Sequence, residues 1–213
     1  MTTAIIGTGN IGSRLATRLA NGGEDLVLAA STRDSAAQVA DGLGDHVTAA
    51  TVDEAIQQAD TLVFATWLGA TKALLEEHAD ALAGKVVIDP SNNISFDDDG
   101  NARSENPEGV SAGEQLAAIL PETAHYVKAF GTVAAPELEQ ERAADGGRVA
   151  LFYATDDEAA ASRAQSLMAI GGWDAVRAGG VDRAGALEVF GELHTMGGLD
   201  GKLVNKAEAE QLV

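Results

Sequence analysis

The stretch Thr3-Ala4-Ile5-Ile6-Gly7-Thr8-Gly9-Asn10-Ile11-Gly12-Ser13-Arg14-Leu15-Ala16-Thr17-Arg18-Leu19-Ala20 decides the fold of this chain. Thr3–Ile6 reads as a strand, Gly7, Gly9 and Gly12 at GxGxxG spacing read as a turn, and the run from Ser13 reads as a helix. A glycine triad alone is a weak signal. Between a strand and a helix it becomes the fingerprint of a dinucleotide-binding unit. Gly7 allows the tight turn, Gly9 leaves room for a pyrophosphate to approach the backbone, and Gly12 lets the helix pack close to the strand. The helix N-terminus then presents free N–H groups and a partial positive charge to the phosphates.

Outward from this turn, apolar runs alternate with helical patterns. Strands are expected at Thr3–Ile6, Asp25–Ala30, His46–Ala49, Thr61–Ala65 and Lys85–Asp89, with helices at 11–21, 34–43, 52–58 and 70–82. This alternation implies βαβ units and a parallel sheet with right-handed crossovers. Pro90-Ser91-Asn92-Asn93 ends the regular run, and a polar loop follows over 96–110. Further on, 111–120 reads as a helix, His125–Phe130 and Arg148–Ala154 as strands, 156–170 as a helix, and 174–178 as a short strand. The tail from Asp182 reads as two short helices broken at Gly197-Gly198. The expected fold is a Rossmann-type α/β doubly wound, mostly parallel sheet. Residues 1–135 form the dinucleotide-binding domain, and 136–213 a small C-terminal α/β extension packed on it.

Composition narrows the function. The 213 residues carry a net charge of -19, which repels nucleic acid and anionic membranes. There are no cysteines, so disulfides, thiolate metal sites and a cysteine nucleophile are excluded. The four histidines, at 46, 78, 125 and 194, show no HxxxH spacing, so no metal site is expected. No apolar run approaches the roughly 20 residues of a membrane span. The N-terminus runs straight into a strand, with no basic region ahead of an apolar one; no secretory signal is expected, and the cytoplasm is the expected compartment.

The second strand ends in Ala30-Ser31-Thr32-Arg33. A site for NAD usually places an acid there to hold the ribose 2′-hydroxyl. Two hydroxyls and a guanidinium suit a 2′-phosphate instead, so the expected cofactor is NADP. Asp34 is the competing residue for a 2′-hydroxyl; it reads as the N-cap of the next helix. Arg33 otherwise reads as a free surface arginine.

In open α/β sheets the ligand lies beyond the carboxyl ends of the strands. Those ends carry Ala65-Thr66-Trp67, Asp89-Pro90-Ser91-Asn92 and Lys128-Ala129-Phe130-Gly131-Thr132. Thr66, Asn92, Ala129 and Gly131 suit a flat ring and its carboxamide. Trp67 either covers the ring or packs in the core, and Asn92 either faces ligand or closes an Asx-turn. Lys128 either touches a ligand anion or is an exposed strand lysine. Proton donors are scarce: the candidates are His194 on the expected terminal helix, Lys128, Tyr126 and Glu188. Tyr126 and Lys128 are two apart, which excludes a YxxxK arrangement. His125 reads as structural. So sparse an inventory suits a reaction that moves hydride alone.

Gly7-Thr8-Gly9-Asn10-Ile11-Gly12, Ser31-Thr32-Arg33, Val87-Ile88-Asp89-Pro90-Ser91-Asn92 and Val127-Lys128-Ala129-Phe130-Gly131-Thr132 resemble segments of the NADP oxidoreductases dependent on coenzyme F420, a deazaflavin. The last segment is also similar to one in the oxidoreductase domain of the STEAP metalloreductases. The resemblance covers nearly all of the first 135 residues. It implies a homodimer in which NADP lies along the sheet edge and the deazaflavin stacks over the nicotinamide, with hydride passing between them. By matching position it implies that Thr8, Asn10 and Ile11 contact pyrophosphate or ribose. It likewise implies that Ser31, Thr32 and Arg33 hold the 2′-phosphate and that Thr66, Trp67 and Asn92 border the nicotinamide. Arg33 stands about two residues later than in the family's usual Gly-Ser-Arg, Gly131 replaces a frequent Asn, and the tail around Gly197-Gly198 differs. Coenzyme F420 or a flavin is the expected second substrate. A small carbonyl or imine acceptor, and a non-catalytic NADP-binding sensor, are the alternatives.

Overall fold

In the computed structural model, which describes residues 1–213, the glycine turn joins β1 (Thr3–Ile6) to α1 (Asn10–Asn21). The chain continues through β2 (Leu26–Ala29), α2 (Arg33–Ala40), β3 (Val47–Ala50), α3 (Val52–Gln58), β4 (Thr61–Phe64), α4 (Leu68–Glu77) and β5 (Val86–Asp89). A hairpin of β6 (Ile94–Phe96) and β7 (Ala102–Ser104) follows. Then come α5 (Ala112–Ala117), β8 (His125–Ala129), β9 (Ala150–Ala154), α6 (Glu158–Ile170), β10 (Asp174–Gly179), α7 (Ala184–Leu187) and α8 (Lys206–Ala209).

Eight strands share one sheet, in the order β10-β9-β8-β5-β4-β1-β2-β3. β1 pairs in parallel with β2 on one side and β4 on the other. The winding reverses between those neighbours, and a doubly wound sheet places its ligand there. Only the β8–β9 pair is antiparallel. β1, β2, β4 and β5 are buried at every position. They are covered on both faces, which is why they read as unbroken apolar runs rather than alternating ones.

Leu15, Ala16, Leu19 and Ala20 form one stripe of α1 and pack with α2 and α6 on one face of the sheet. Ala55 and Ile56 of α3, Leu75 of α4 and Leu116 of α5 cover the other. α3 begins with a reciprocal cap: Thr51 Oγ1 accepts from Glu54 N, and the Glu54 carboxylate accepts from Thr51 N at 2.9 Å. Residues beyond 135 extend the same sheet through β9 and β10. They are also tied to its far end, since buried Arg163 of α6 donates to Thr61 Oγ1 at 2.9 Å and pairs with buried Glu24. No helix is long and apolar enough to cross a membrane.

Three expectations are corrected. The helix expected over 70–82 starts earlier, at Leu68, and ends at Glu77; a 3₁₀ turn, Ala79–Leu82, takes over. The 96–110 segment is not all loop, because β6 and β7 pair antiparallel across the turn that Asp97 holds by accepting from Asn101 N at 2.8 Å. The tail holds two helices of four residues each, at 184–187 and 206–209, with irregular turns between them. The break spans the whole glycine-rich stretch and not one point, since side chains at Gly191, Gly197 and Gly198 would strike backbone within 2.4 Å.

Candidate functional site

The turns after β1, β4, β5 and β8 open on one edge of the sheet, as parallel register requires. They enclose a cleft of about 680 Å³ with β6 and the tail. Gly7, Gly9, Asn10 and Ile11 line one end, Thr66, Trp67, Ser91 and Asn92 the middle, and Phe96, Val189, His194 and Met196 the other side.

The glycine turn is shaped by close approach. Gly7 has φ +101°, and a Cβ there would stand 2.5 Å from the Ala65 carbonyl oxygen. A Cβ on Gly12 would stand 1.8 Å from the Gly7 carbonyl oxygen, so α1 packs against the turn only because none is present. A Cβ on Gly9 would meet nothing within 4 Å. Gly9 faces open space in the cleft, directly at the helix start, where no side chain caps the first turn of α1. Thr8 lies in the turn itself, outside the cleft lining.

Ser31, Thr32 and Arg33 are exposed at the end of β2, outside the enclosed part of the cleft. Thr32, not Asp34, is the N-cap of α2: its Oγ1 accepts from Ser35 N at 3.1 Å, and Asp34 sits in the first turn. The Arg33 guanidinium is 61% exposed, with Glu54 Oε2 3.7 Å away. So loose a surface pair contributes little and leaves the guanidinium free to turn toward an anion.

Lys128 does not reach the cleft. Its Nζ lies 2.9 Å from Asp89 Oδ2 and 3.3 Å from Glu188 Oε1, and all three side chains are almost fully buried. Burial works against its charge, but the two carboxylates outweigh it and raise its pKa. Tyr126 shares that face of β8, as strand alternation demands, and donates from its hydroxyl to Asp89 Oδ2 at 2.9 Å. Burial, reinforced by Asp89, pushes the phenol well above its ordinary value. Glu188 also accepts from Ala112 N and Gly113 N, at 3.0 and 2.9 Å. Tyr126, Lys128 and Glu188 thus join Asp89 in a buried structural network of four side chains and are not cleft acids. Ala129 is likewise fully buried within β8 and lines nothing. Gly131 is packed so closely under Pro90 that a Cβ would stand 2.7 Å from the Pro90 carbonyl oxygen.

Asn92 bridges three segments. Its Nδ2 donates to Gly131 O at 3.0 Å, and its Oδ1 accepts from Val189 N at 2.7 Å. It therefore borders the cleft while tying the ends of β5 and β8 to the tail. Trp67 is 66% exposed on the cleft rim, so it is not a core residue. His194 sits in an irregular turn rather than on a helix, 1% exposed and facing the cleft. Its Nδ1 accepts from Met196 N at 2.8 Å. Burial, against a partial offset from the nearby Gly131 carbonyl, lowers its pKa to about 4.

Residues 2–93 match the family described as NADP oxidoreductase, coenzyme F420-dependent. A solved protein from Arthrobacter sp. FB24, provisionally described as an F420-dependent NADP-reductase, is 30% identical. The match covers 86% of this chain and 87% of that one, with a TM-score of 0.70. The chain belongs to the coenzyme F420-dependent NADP oxidoreductase family. A hypothetical protein from Sinorhizobium meliloti is 28% identical over 91% of this chain and 93% of its own, with a TM-score of 0.80. A reductive aminase from Aspergillus terreus, solved with NADPH and ethyl levulinate, shares the fold at 20% identity and a TM-score of 0.63; the match covers 87% of this chain and 56% of that one. No curated protein matches the sequence. This member of the F420-dependent family is an NADP-dependent oxidoreductase, and its residues fit the cofactor: Gly9 leaves a Cβ-free approach to an uncapped helix N-terminus.

Sequence reasoning placed Ser91 at a ligand-facing strand end but missed the cleft positions of Ile94, Phe96, Val189 and Met196. Val189 and Met196 had none, because their chain is placed by turns that no periodicity announces.

Proposed function

We propose that the cleft holds NADP(H) along the glycine turn and brings its nicotinamide face to face with a flat, flavin-like acceptor, the deazaflavin coenzyme F420. When bound, the cofactor supplies or accepts hydride at the nicotinamide ring. One observation carries the proposal: none of the cleft-lining residues is Asp, Glu, Lys or Arg, in a chain where 22% of residues are charged. Ile94, Phe96, Val189, Met196 and the exposed Trp67 ring supply apolar contact for a tricyclic system. Gly9 and the start of α1 hold the pyrophosphate, Ser31, Thr32 and Arg33 the 2′-phosphate, and Thr66 and Asn92 border the nicotinamide.

Reduction of a small carbonyl or imine needs a proton donor beside the hydride acceptor. Tyr126, Lys128 and Glu188 are sealed in their own network, and His194 is a neutral imidazole at neutral pH. Such a ring donates a hydrogen bond but is far too weak an acid to give up its proton. Hydride transfer between two conjugated rings asks for no such donor. Stopped-flow absorbance with NADPH and purified deazaflavin tests this directly. Deazaflavin-dependent NADPH oxidation is expected; tight NADPH binding with no such oxidation rules the acceptor out.

A further inference from the structure

Five buried side-chain polar atoms have no hydrogen-bond partner. Three of them, Ser91 Oγ, Thr132 Oγ1 and His194 Nε2, belong to the turns after β5 and β8 and to the tail that packs on them. An unpaired buried polar group costs about 1–3 kcal/mol, so nearly all such groups are paired. Ser91 and His194 both line the cleft and are 7% and 1% exposed.

Both are held in place. Ser91 N donates to Asp89 Oδ1 at 2.7 Å, and Ser91 O accepts from Lys128 Nζ. His194 is fixed through Nδ1, which accepts from the Met196 backbone N–H. An accepting Nδ1 places the ring proton on Nε2. Gly131 O, which accepts from Asn92 Nδ2, lies close enough to offset part of the burial of the imidazole, but it makes no hydrogen bond of acceptable geometry with Nε2, which has no partner. Just behind its surface the cleft wall thus holds one fixed N–H donor and one hydroxyl free to donate or accept. A primary carboxamide is the chemical complement, with one carbonyl oxygen and one NH₂ group.

We propose that His194 Nε2–H and Ser91 Oγ form the subsite for the nicotinamide carboxamide of NADP(H), His194 donating to its oxygen and Ser91 accepting from its nitrogen. The contact sets which edge of the ring points into the cleft. It requires NADP(H) but not any particular acceptor, so it stands or falls separately from the deazaflavin proposal.

The test is titration of the purified protein with NADPH and with adenosine 2′,5′-bisphosphate, which lacks the nicotinamide. Ser91→Ala removes an atom with no protein partner, so its melting temperature should match the wild type. Its Kd for NADPH should rise about fivefold or more, with the bisphosphate Kd unchanged. His194→Leu should do the same, and His194→Gln, which restores an amide N–H near the Nε2 position, should recover most of the loss. An unchanged NADPH Kd in Ser91→Ala overturns the proposal, as does equal weakening of both ligands. If His194→Leu fails to fold, Ser91→Ala decides alone.

Discussion

Lys128 Nζ stands 2.9 Å from Asp89 Oδ2, and the two side chains are 1% and 0% exposed. Asp89 closes β5 and Lys128 sits beside it on β8, so this ion pair locks together two of the strand ends that carry the cleft. Through Glu188 it also reaches α5 and the tail. Removing one partner of a buried ion pair leaves a charge uncompensated, at about 3–5 kcal/mol. Lys128→Met should therefore lower unfolding free energy by about that much in urea denaturation. A loss under about 1 kcal/mol would show that Asp89 and Glu188 are compensated some other way.

The glycine turn separates folding from binding. Gly12→Ala drives a Cβ to 1.8 Å from Gly7 O, so α1 must move off the turn, and thermal stability should fall. Gly9→Ala meets no protein atom within 4 Å, so the melting temperature should hold while NADPH affinity drops at least tenfold. Unimpaired NADPH binding by Gly9→Ala would mean that the pyrophosphate does not cross this turn.

Arg33 is exposed, with only a loose contact to Glu54. Arg33→Ala should weaken NADPH far more than NADH, by about 1–3 kcal/mol for a lost charge-assisted contact. Parallel Kd measurements for the two nucleotides decide it. Equal weakening, or none, would place the 2′-phosphate elsewhere.

His194 carries a pH dependence with a definite sign. Its pKa is lowered by burial from 6.5 to about 4 in the folded state. Between those values the unfolded chain binds a proton that the folded chain does not, so stability falls as pH drops from 6.5 toward 4. Below that window this group adds no further loss. The full difference is about 3 kcal/mol. Denaturation at pH 7 and pH 4.5 should show a loss in the wild type that shrinks in His194→Gln. An identical loss in both would assign it to the carboxylates alone.

Much of this architecture was legible in the sequence, because parallel strands buried on both faces announce themselves as apolar runs such as Val86–Asp89. The strand–glycine–helix context at Gly7–Gly12 marked one end of the cleft for the same local reason. The rest of the cleft was less legible. Lys128 is neither ligand-facing nor an exposed strand lysine but buried, because α5 and Glu188 approach it from distant sequence. His194 looked helical because its neighbours have small and apolar spacing, yet the close contacts of Gly191, Gly197 and Gly198 coil that segment into turns. Thr32, two residues before Asp34, caps the helix in its place, through Ser35 N.

The most direct measurement uses NADPH deuterated in turn at each C4 face, mixed with the enzyme and oxidised deazaflavin. An uncharged cleft that moves hydride alone should deliver deuterium from one face only into the reduced deazaflavin, with no label in solvent. NADPH that binds tightly but passes no deuterium to the deazaflavin would contradict it.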